Sequence, residues 1–156
     1  MRRLEWFGWF TPHRRILEEA FARHQRGENV MLLAIAGDFP VGQIFVDLTR
    51  KADESVALLW AFRVLPGFQG AGIGGSLLTL AESVAASHGH GQSEVGVALH
   101  NADARRLYER RGYRPHDMIR ESVRYRTPEG SARVMRLHEL VLRKPLAPRD
   151  AQACAG

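Results

Sequence analysis

Phe62-Arg63-Val64-Leu65-Pro66-Gly67-Phe68-Gln69-Gly70-Ala71-Gly72-Ile73-Gly74-Gly75-Ser76 is the stretch on which the reading of this chain turns. An apolar run from Ser55 to Leu65 stops at a proline, and five glycines follow between Gly67 and Gly75. Ile73, Leu77, Leu80, Ala81 and Val84 then recur on one helical face. Strand, glycine loop and helix in that order cradle phosphates: glycine lets the backbone approach an anion, and the N–H groups and positive end of the helix face it. Glycine costs roughly 1 kcal/mol per helical position against alanine, so five of them argue for a ligand rather than for an empty turn.

Two phosphate sites fit poorly. Gly70-x-Gly72-x-x-Gly75 matches the dinucleotide fingerprint, but that site needs an acidic residue at the far end of the next strand. Glu94 falls at the start of that strand, and an antiparallel hairpin precedes the loop where a parallel βαβ unit is required. A P-loop is excluded because Gly72 to Ser76 has no lysine to reach terminal phosphates.

Outward from the loop, Thr11-Pro12 opens a helix carrying Ile16, Leu17, Ala20, Phe21 and His24 up to Gly27. Val30 to Ala36 and Val41 to Leu48 flank the turn Gly37-Asp38-Phe39-Pro40, a β-hairpin, and Ser55 to Leu65 reads as a central strand. The helix after the loop ends near His88-Gly89. Glu94 to Leu99 is a strand, and Asn101 or Asp103 caps a helix with Ala104, Leu107, Tyr108 and Arg111 on one face and Gly112 at its end. Strands about Met118 to Arg126 and Val134 to Leu142 are joined by Thr127-Pro128-Glu129-Gly130. Residues 1–145 are expected to form one domain, and 146–156 a disordered tail.

Composition narrows the class. The 156 residues, 45% hydrophobic and 25% charged, leave no room for a second domain of normal size. A chain of this length buries about 70% of its unfolded surface and needs no disulfide or structural metal to hold a core. Cys154 is the sole cysteine, which removes a disulfide framework and a thiolate zinc cluster and points to a reducing, cytoplasmic setting. Val64 to Ala81 is uncharged, but Pro66 and five glycines break it as a membrane span. Met1-Arg2-Arg3 is followed by Glu5, and no secretory signal is read. The net charge of +5 comes from 20 arginines and two lysines, and it favours anionic ligands, either a polyphosphate or a nucleic acid.

Gln69-Gly70-Ala71-Gly72-Ile73-Gly74 resembles the acetyl-coenzyme A loop of the GNAT superfamily of N-acetyltransferases, which reads Gln or Arg, two residues, Gly, one residue, Gly or Ala. Phe62-Arg63-Val64-Leu65-Pro66 is similar to that family's central strand and proline. Val97-Ala98-Leu99-His100-Asn101, Ala104, Leu107-Tyr108-Glu109 and Gly112-Tyr113 look like its second cofactor segment. The likeness spans Ser55 to Tyr113. It implies a mixed α/β fold, with a central, mostly antiparallel sheet of six to seven strands flanked by helices and splayed between the strands ending at Val64 and Leu99.

It also implies roles. Amides of Gln69, Gly70, Ala71, Gly72, Ile73 and Gly74 would hold the pyrophosphate, and backbone groups of Phe62 and Val64 the pantetheine arm, with Val64 N–H facing the thioester carbonyl. Asn101 would bond that arm, cap its helix, or do both. Arg105 or Arg106 would meet the phosphates. Tyr108 would protonate the departing thiolate as general acid. Val56 to Phe62 lacks the glutamate that many members use as base; His100 is the best placed substitute, with Glu54, Asp47, His138 or a water chain as alternatives. Trp6 and Trp9, with Trp60, would wall an acceptor site or simply fill core.

His88-Gly89-His90-Gly91 reads as a solvated turn rather than a metal site. The expected activity is direct acetyl transfer to a primary amine, more readily of a small molecule, since Ala98 stands where ribosomal-protein-acetylating relatives carry arginine. A homodimer is compatible with this. The competing readings are a non-catalytic acyl-coenzyme A binding domain, a protein N-terminal acetyltransferase and a nucleic-acid module. The last lacks a basic–aromatic motif, and its arginine patch (Arg105, Arg106, Arg110, Arg111, Arg114) coincides with the cofactor segment.

Overall fold

The computed structural model describes residues 11–126 and 130–147. Helix α1 (Thr11–Gln25) leads to β1 (Asn29–Ala36) and β2 (Phe39–Lys51); then come β3 (Val56–Val64), α2 (Ile73–Ser87), β4 (Gln92–Ala98), α3 (Ala102–Arg110), β5 (Arg114–Arg126) and β6 (Ala132–Pro145). The strands form one six-stranded sheet in the order β1-β2-β3-β4-β6-β5. Neighbours are antiparallel except β3 and β4, which run parallel. Connection length explains this: tight turns reverse the chain, whereas the α2 crossover returns it in the same direction. The mixed, mostly antiparallel sheet is the one the sequence leads one to expect.

Strand alternation sorts the core into two layers. Val30, Leu32, Ala34, Ile44, Val46, Ala57, Leu59, Val95, Val97, Leu140 and Leu142 face Leu77, Leu78, Ala81 and Ala85 of α2 and Tyr108 of α3. On the other face Met31, Phe45 and Trp60 meet Leu17 and Ala20 of α1. Full burial of a leucine such as Leu78 stabilises by about 2 kcal/mol. Gly42 lets α2 sit low on the sheet, since a Cβ there would stand 3.0 Å from Leu77 and 3.2 Å from Ile73.

The last two strands outrun their apolar pattern. β5 starts at Arg114 and β6 extends to Pro145, because pairs such as Arg120↔His138 and Ser122↔Arg136 satisfy the backbone without burying side chains. Leu146 donates its N–H to Gly91 O at 2.8 Å and packs on the core. Cys154 and the rest of residues 148–156 lie outside the described residues, as do Thr127 to Glu129. Among the described residues, no helix is long and apolar enough to cross a membrane.

Several carboxylates on the α1 side of the sheet are paired. Glu94 takes Lys51 at 2.8 Å and Arg143 at 2.6 Å, and Arg143 also reaches Glu54 at 2.7 Å. Asp47, 1% exposed, takes Arg23 at 2.6 Å and the amides of Thr49 and Arg50 at 3.0 and 3.1 Å. Burial alone would push its carboxyl up, but the Arg23 bond and the two amides outweigh that and hold it at about 2. A depressed carboxyl stabilises the fold above its unfolded value, and that stability is lost as pH falls through the folded one. Urea unfolding is therefore expected to show a loss of about 2 kcal/mol between pH 5 and pH 2 from this site. Asp47→Asn should remove that part of the slope, and an unchanged slope in the variant would refute the assignment.

Candidate active site

The parallel pair β3–β4 is short. Val56 to Leu59 align with Gln92 to Val95, and beyond Leu59↔Val95 the strands part. On its other side β3 slips against β2: Phe45 pairs with Trp60 and Gln43 with Arg63, so Ala61 and Phe62 together oppose Ile44 in a bulge. Ala61 sits at φ +50°, a left-handed conformation that costs a side chain about 1 kcal/mol or more. Gln43, fully buried, holds the bulge by donating Nε2 to Ala61 O at 3.0 Å. The bend leaves the β4-facing backbone of Trp60 to Val64 without a strand partner. An open strand edge inside a sheet is a template for an extended ligand. The opening expected between Val64 and Leu99 is thus present, although β4 already ends at Ala98.

The glycine loop lies at the end of that edge. Gly70 and Gly72 both take φ +81°, and a Cβ on either would meet nothing within 4 Å. No side chain caps α2, whose N-cap is Gly72, and the bond Ser76 N–H to Gly72 O is the first of the helix. The N–H groups of Ile73, Gly74 and Gly75 are therefore orphans at the positive end of a fifteen-residue helix. Gly74 serves a different purpose, since its Cβ would stand 3.2 Å from Phe62 and block helix–strand packing. Gln69 ties loop to strand by donating Nε2 to Val64 O at 3.0 Å.

Helix α3 begins where Asn101 Oδ1 accepts Ala104 N–H at 3.1 Å, so the capping role is realised. Tyr108 is 5% exposed, with its ring against Phe62 at 6.1 Å and Tyr113 at 5.7 Å between centroids. The two tyrosines differ at the hydroxyl. Tyr113 shares its oxygen with Ser93 Oγ at 2.8 Å, whereas among the described residues Tyr108 has no hydrogen-bond partner. Burial pushes the Tyr108 phenol up, which keeps its proton on.

Arg105 is engaged by Glu109 at 2.8 Å and Arg106 by Asp103. Arg111, which sequence reasoning left in the general basic patch, lies over the first turn of α2: its guanidinium fills the space a Cβ at Gly75 would need, and it donates to Thr79 at 3.2 Å. Gln43 was also missed, because nothing in the sequence marks the bulge it supports. His100 is exposed in the turn after β4 and has no partner among the described residues. Trp60 packs edge-on against Phe45 and donates Nε1 to Asn29 at 3.1 Å, on the α1 face beside the opening. Trp6 and Trp9 lie outside the described residues. Of the other candidate bases, Asp47 and Glu54 are taken by arginines. Among the described residues no group of three or more His, Cys, Asp or Glu could hold a metal ion.

A parted strand pair ending at a helix start with orphan amides, with an unshared phenol beside it, is an arrangement that suits an extended, phosphate-bearing ligand and the transfer of a group from it. The model of the acetyltransferase (GNAT) family matches residues 1–113, and the chain belongs to that family. It is an acetyltransferase of the GNAT type. Solved structures share the fold. A GNAT acetyltransferase from Desulfovibrio desulfuricans, 20% identical, superposes with a TM-score of 0.69 over 94% of this chain and 89% of its own. The PaiA N-acetyltransferase of Thermoplasma acidophilum, solved with coenzyme A, gives 0.64 at 20% identity over 83% and 69%. The ribosomal-protein-S18-alanine N-acetyltransferase of Escherichia coli gives 0.63 at 22% identity over 83% and 77%. A comparison with curated proteins found no match.

Proposed function

We propose that this protein transfers an acetyl group from acetyl-coenzyme A directly to a primary amine of a small molecule. The observation that carries the reading is the Tyr108 hydroxyl: buried ring, raised phenol and no hydrogen-bond partner among the described residues, beside Phe62 where β3 has parted from β4. The chain fits the cofactor. The open space at Gly70 and Gly72 suits a ligand that approaches the backbone closely, and the orphan amides of Ile73 to Gly75 suit its pyrophosphate. Acetyl-coenzyme A supplies an acetyl carbon already activated as a thioester.

The protein's own groups do the rest. Amides from Gly70 to Gly74 hold the phosphates, the Gln69 N–H being bonded to Pro66 O at 3.3 Å, with Arg111 and Arg105 as nearby cations. The free edge of β3 at Phe62 and Val64 holds the pantetheine arm as an added strand, and Val64 N–H polarises the thioester carbonyl. Asn101 Oδ1 is committed to its cap, which leaves its Nδ2 as the group able to donate to the arm. Tyr108 gives its proton to the departing sulfur. Trp60 borders the acceptor. A domain of net charge +5 repels polycationic acceptors, which favours neutral or weakly charged amines.

The likeness to a ribosomal-protein acetyltransferase supports a second reading, in which the amine is a protein N-terminus. Thiol release from acetyl-coenzyme A across a panel of small amines and N-terminal peptides tests both. Turnover with a small amine is expected. Release with peptides alone would transfer the assignment to the second reading, and release with neither would refute both.

A further inference from the structure

We infer that Glu139 is the general base that deprotonates the acceptor amine, an inference that rests on the acetyl-transfer reading. Glu139 of β6 pairs in register with Ala98 of β4, yet its carboxylate leans back over Gly96, with Oε2 2.7 Å from where a Cβ on that glycine would be. Gly96 is the first residue of β4 beyond the last pair with β3. The carboxylate thus hangs at the mouth of the opening.

The face on which it hangs fits the task. Val95, Val97, Leu140 and Leu142 point to the α2 and α3 layer, so Gly96 and Glu139 point the other way, to the face that Trp60 and Ala61 share with α1. Tyr108 belongs to the α2 and α3 layer. Proton donor and carboxylate therefore flank the opening from opposite faces of the sheet, so the amine can approach from one while the sulfur is protonated from the other. His100 has no comparable anchor.

Charge pairing singles out this carboxylate. Its neighbours on that face are neutralised: Glu94 by Lys51 and Arg143, Glu54 by Arg143 and Asp47 by Arg23. Glu139 is half-buried and, among the described residues, has no hydrogen bond or ion pair. A half-buried carboxylate without a cation is costly unless a ligand supplies one, and an acceptor ammonium does. In the reaction, the ammonium gives one proton to Glu139 and its freed lone pair forms the N–C bond. The C–S bond breaks, the sulfur leaves with that electron pair and takes the Tyr108 proton, and the new amide nitrogen sheds its second proton to solvent. Solvent then reprotonates Tyr108 and takes the proton from Glu139, so that one proton is released per amide formed.

Glu139→Gln keeps size and removes the base. With an amine the parent accepts, kcat/KM at pH 7 is expected to fall about 10²-fold or more. The deficit should shrink as pH approaches 10, where a lysine-like amine deprotonates unaided. The thermal shift given by acetyl-coenzyme A should be unchanged, a readout independent of turnover. Gly96→Ala offers a second approach, since the added methyl pushes the intact carboxylate aside and should cost about 10-fold, within what a misplacement near 1 Å can cause. Parent rates in Glu139→Gln, a loss of equal size at every pH, or a lost cofactor shift would each overturn the role. A parent that releases thiol with no amine would instead overturn the transfer reading beneath it.

Discussion

Gly72→Val is expected to abolish the thermal stabilisation that acetyl-coenzyme A gives the parent. A ligand at a hundredfold excess over its dissociation constant stabilises by about 2.7 kcal/mol, which for a domain of this size is a rise of about 5–10 °C in Tm. Gly72 is the N-cap of α2 at φ +81°, and a side chain there would enter the open space before the orphan amides. Valine also strains the backbone, because a β-branched residue resists positive φ. Gly37→Val controls for this. Gly37 lies in the β1–β2 turn at φ +62°, also with nothing within 4 Å of its Cβ position, so its replacement carries similar strain away from the loop. Both variants should melt lower than the parent without ligand, and only Gly72→Val should fail to respond to it. A full response in Gly72→Val would show that the cofactor does not lie on this loop.

The parts of the molecule that local pattern dictates were legible in the sequence. Glycines at 70 and 72, a proline before them and a helical period after them require a strand, an open loop and a helix start, and the backbone angles are those the glycines permit. Asn101 as a cap and Tyr108 on the buried face of α3 follow from spacing in the same way. What escaped depends on pairing at long range. The bulge at Ala61 arises from a register slip between β2 and β3, and no residue in Val56 to Val64 advertises it, since alanine at positive φ is set by its neighbours and not by its own preference.

Glu139 escaped for the same reason. It is 38 residues beyond Asn101 in the chain and reaches the opening only because β6 inserts next to β4, ahead of β5. Arg111 was visible as a charge but not as a neighbour of α2, because that contact depends on how two helices meet on one face. Proximity along the chain does not by itself orient a side chain. The tertiary environment does so for Tyr108, and its oxygen and that of Tyr113 make a natural contrast. Each ring is buried, but only one hydroxyl belongs to the fold.

That contrast gives the sharpest test of catalysis. Tyr108→Phe is expected to lower turnover about 10²-fold or more, the usual worth of a positioned acid, while leaving cofactor affinity unchanged. Stability should also be unaffected, because the lost hydroxyl has no partner among the described residues. Tyr113→Phe should behave in the opposite way, costing about 1 kcal/mol by orphaning the buried Ser93 Oγ and leaving the chemistry largely intact. The pH dependence follows from the direction of the Tyr108 shift. Burial raises the phenol, so it remains a proton donor throughout the range in which the enzyme is assayed, and the parent should show no loss from its ionisation. In the phenylalanine variant the sulfur must leave as an unprotonated thiolate, which becomes easier as pH rises toward the thiol's own value, near 8.5 for a cysteine-like group. The ratio of parent to variant rates should therefore narrow between pH 7 and pH 9. A variant that matches the parent across that range would return Tyr108 to a packing role, with the proton supplied from elsewhere.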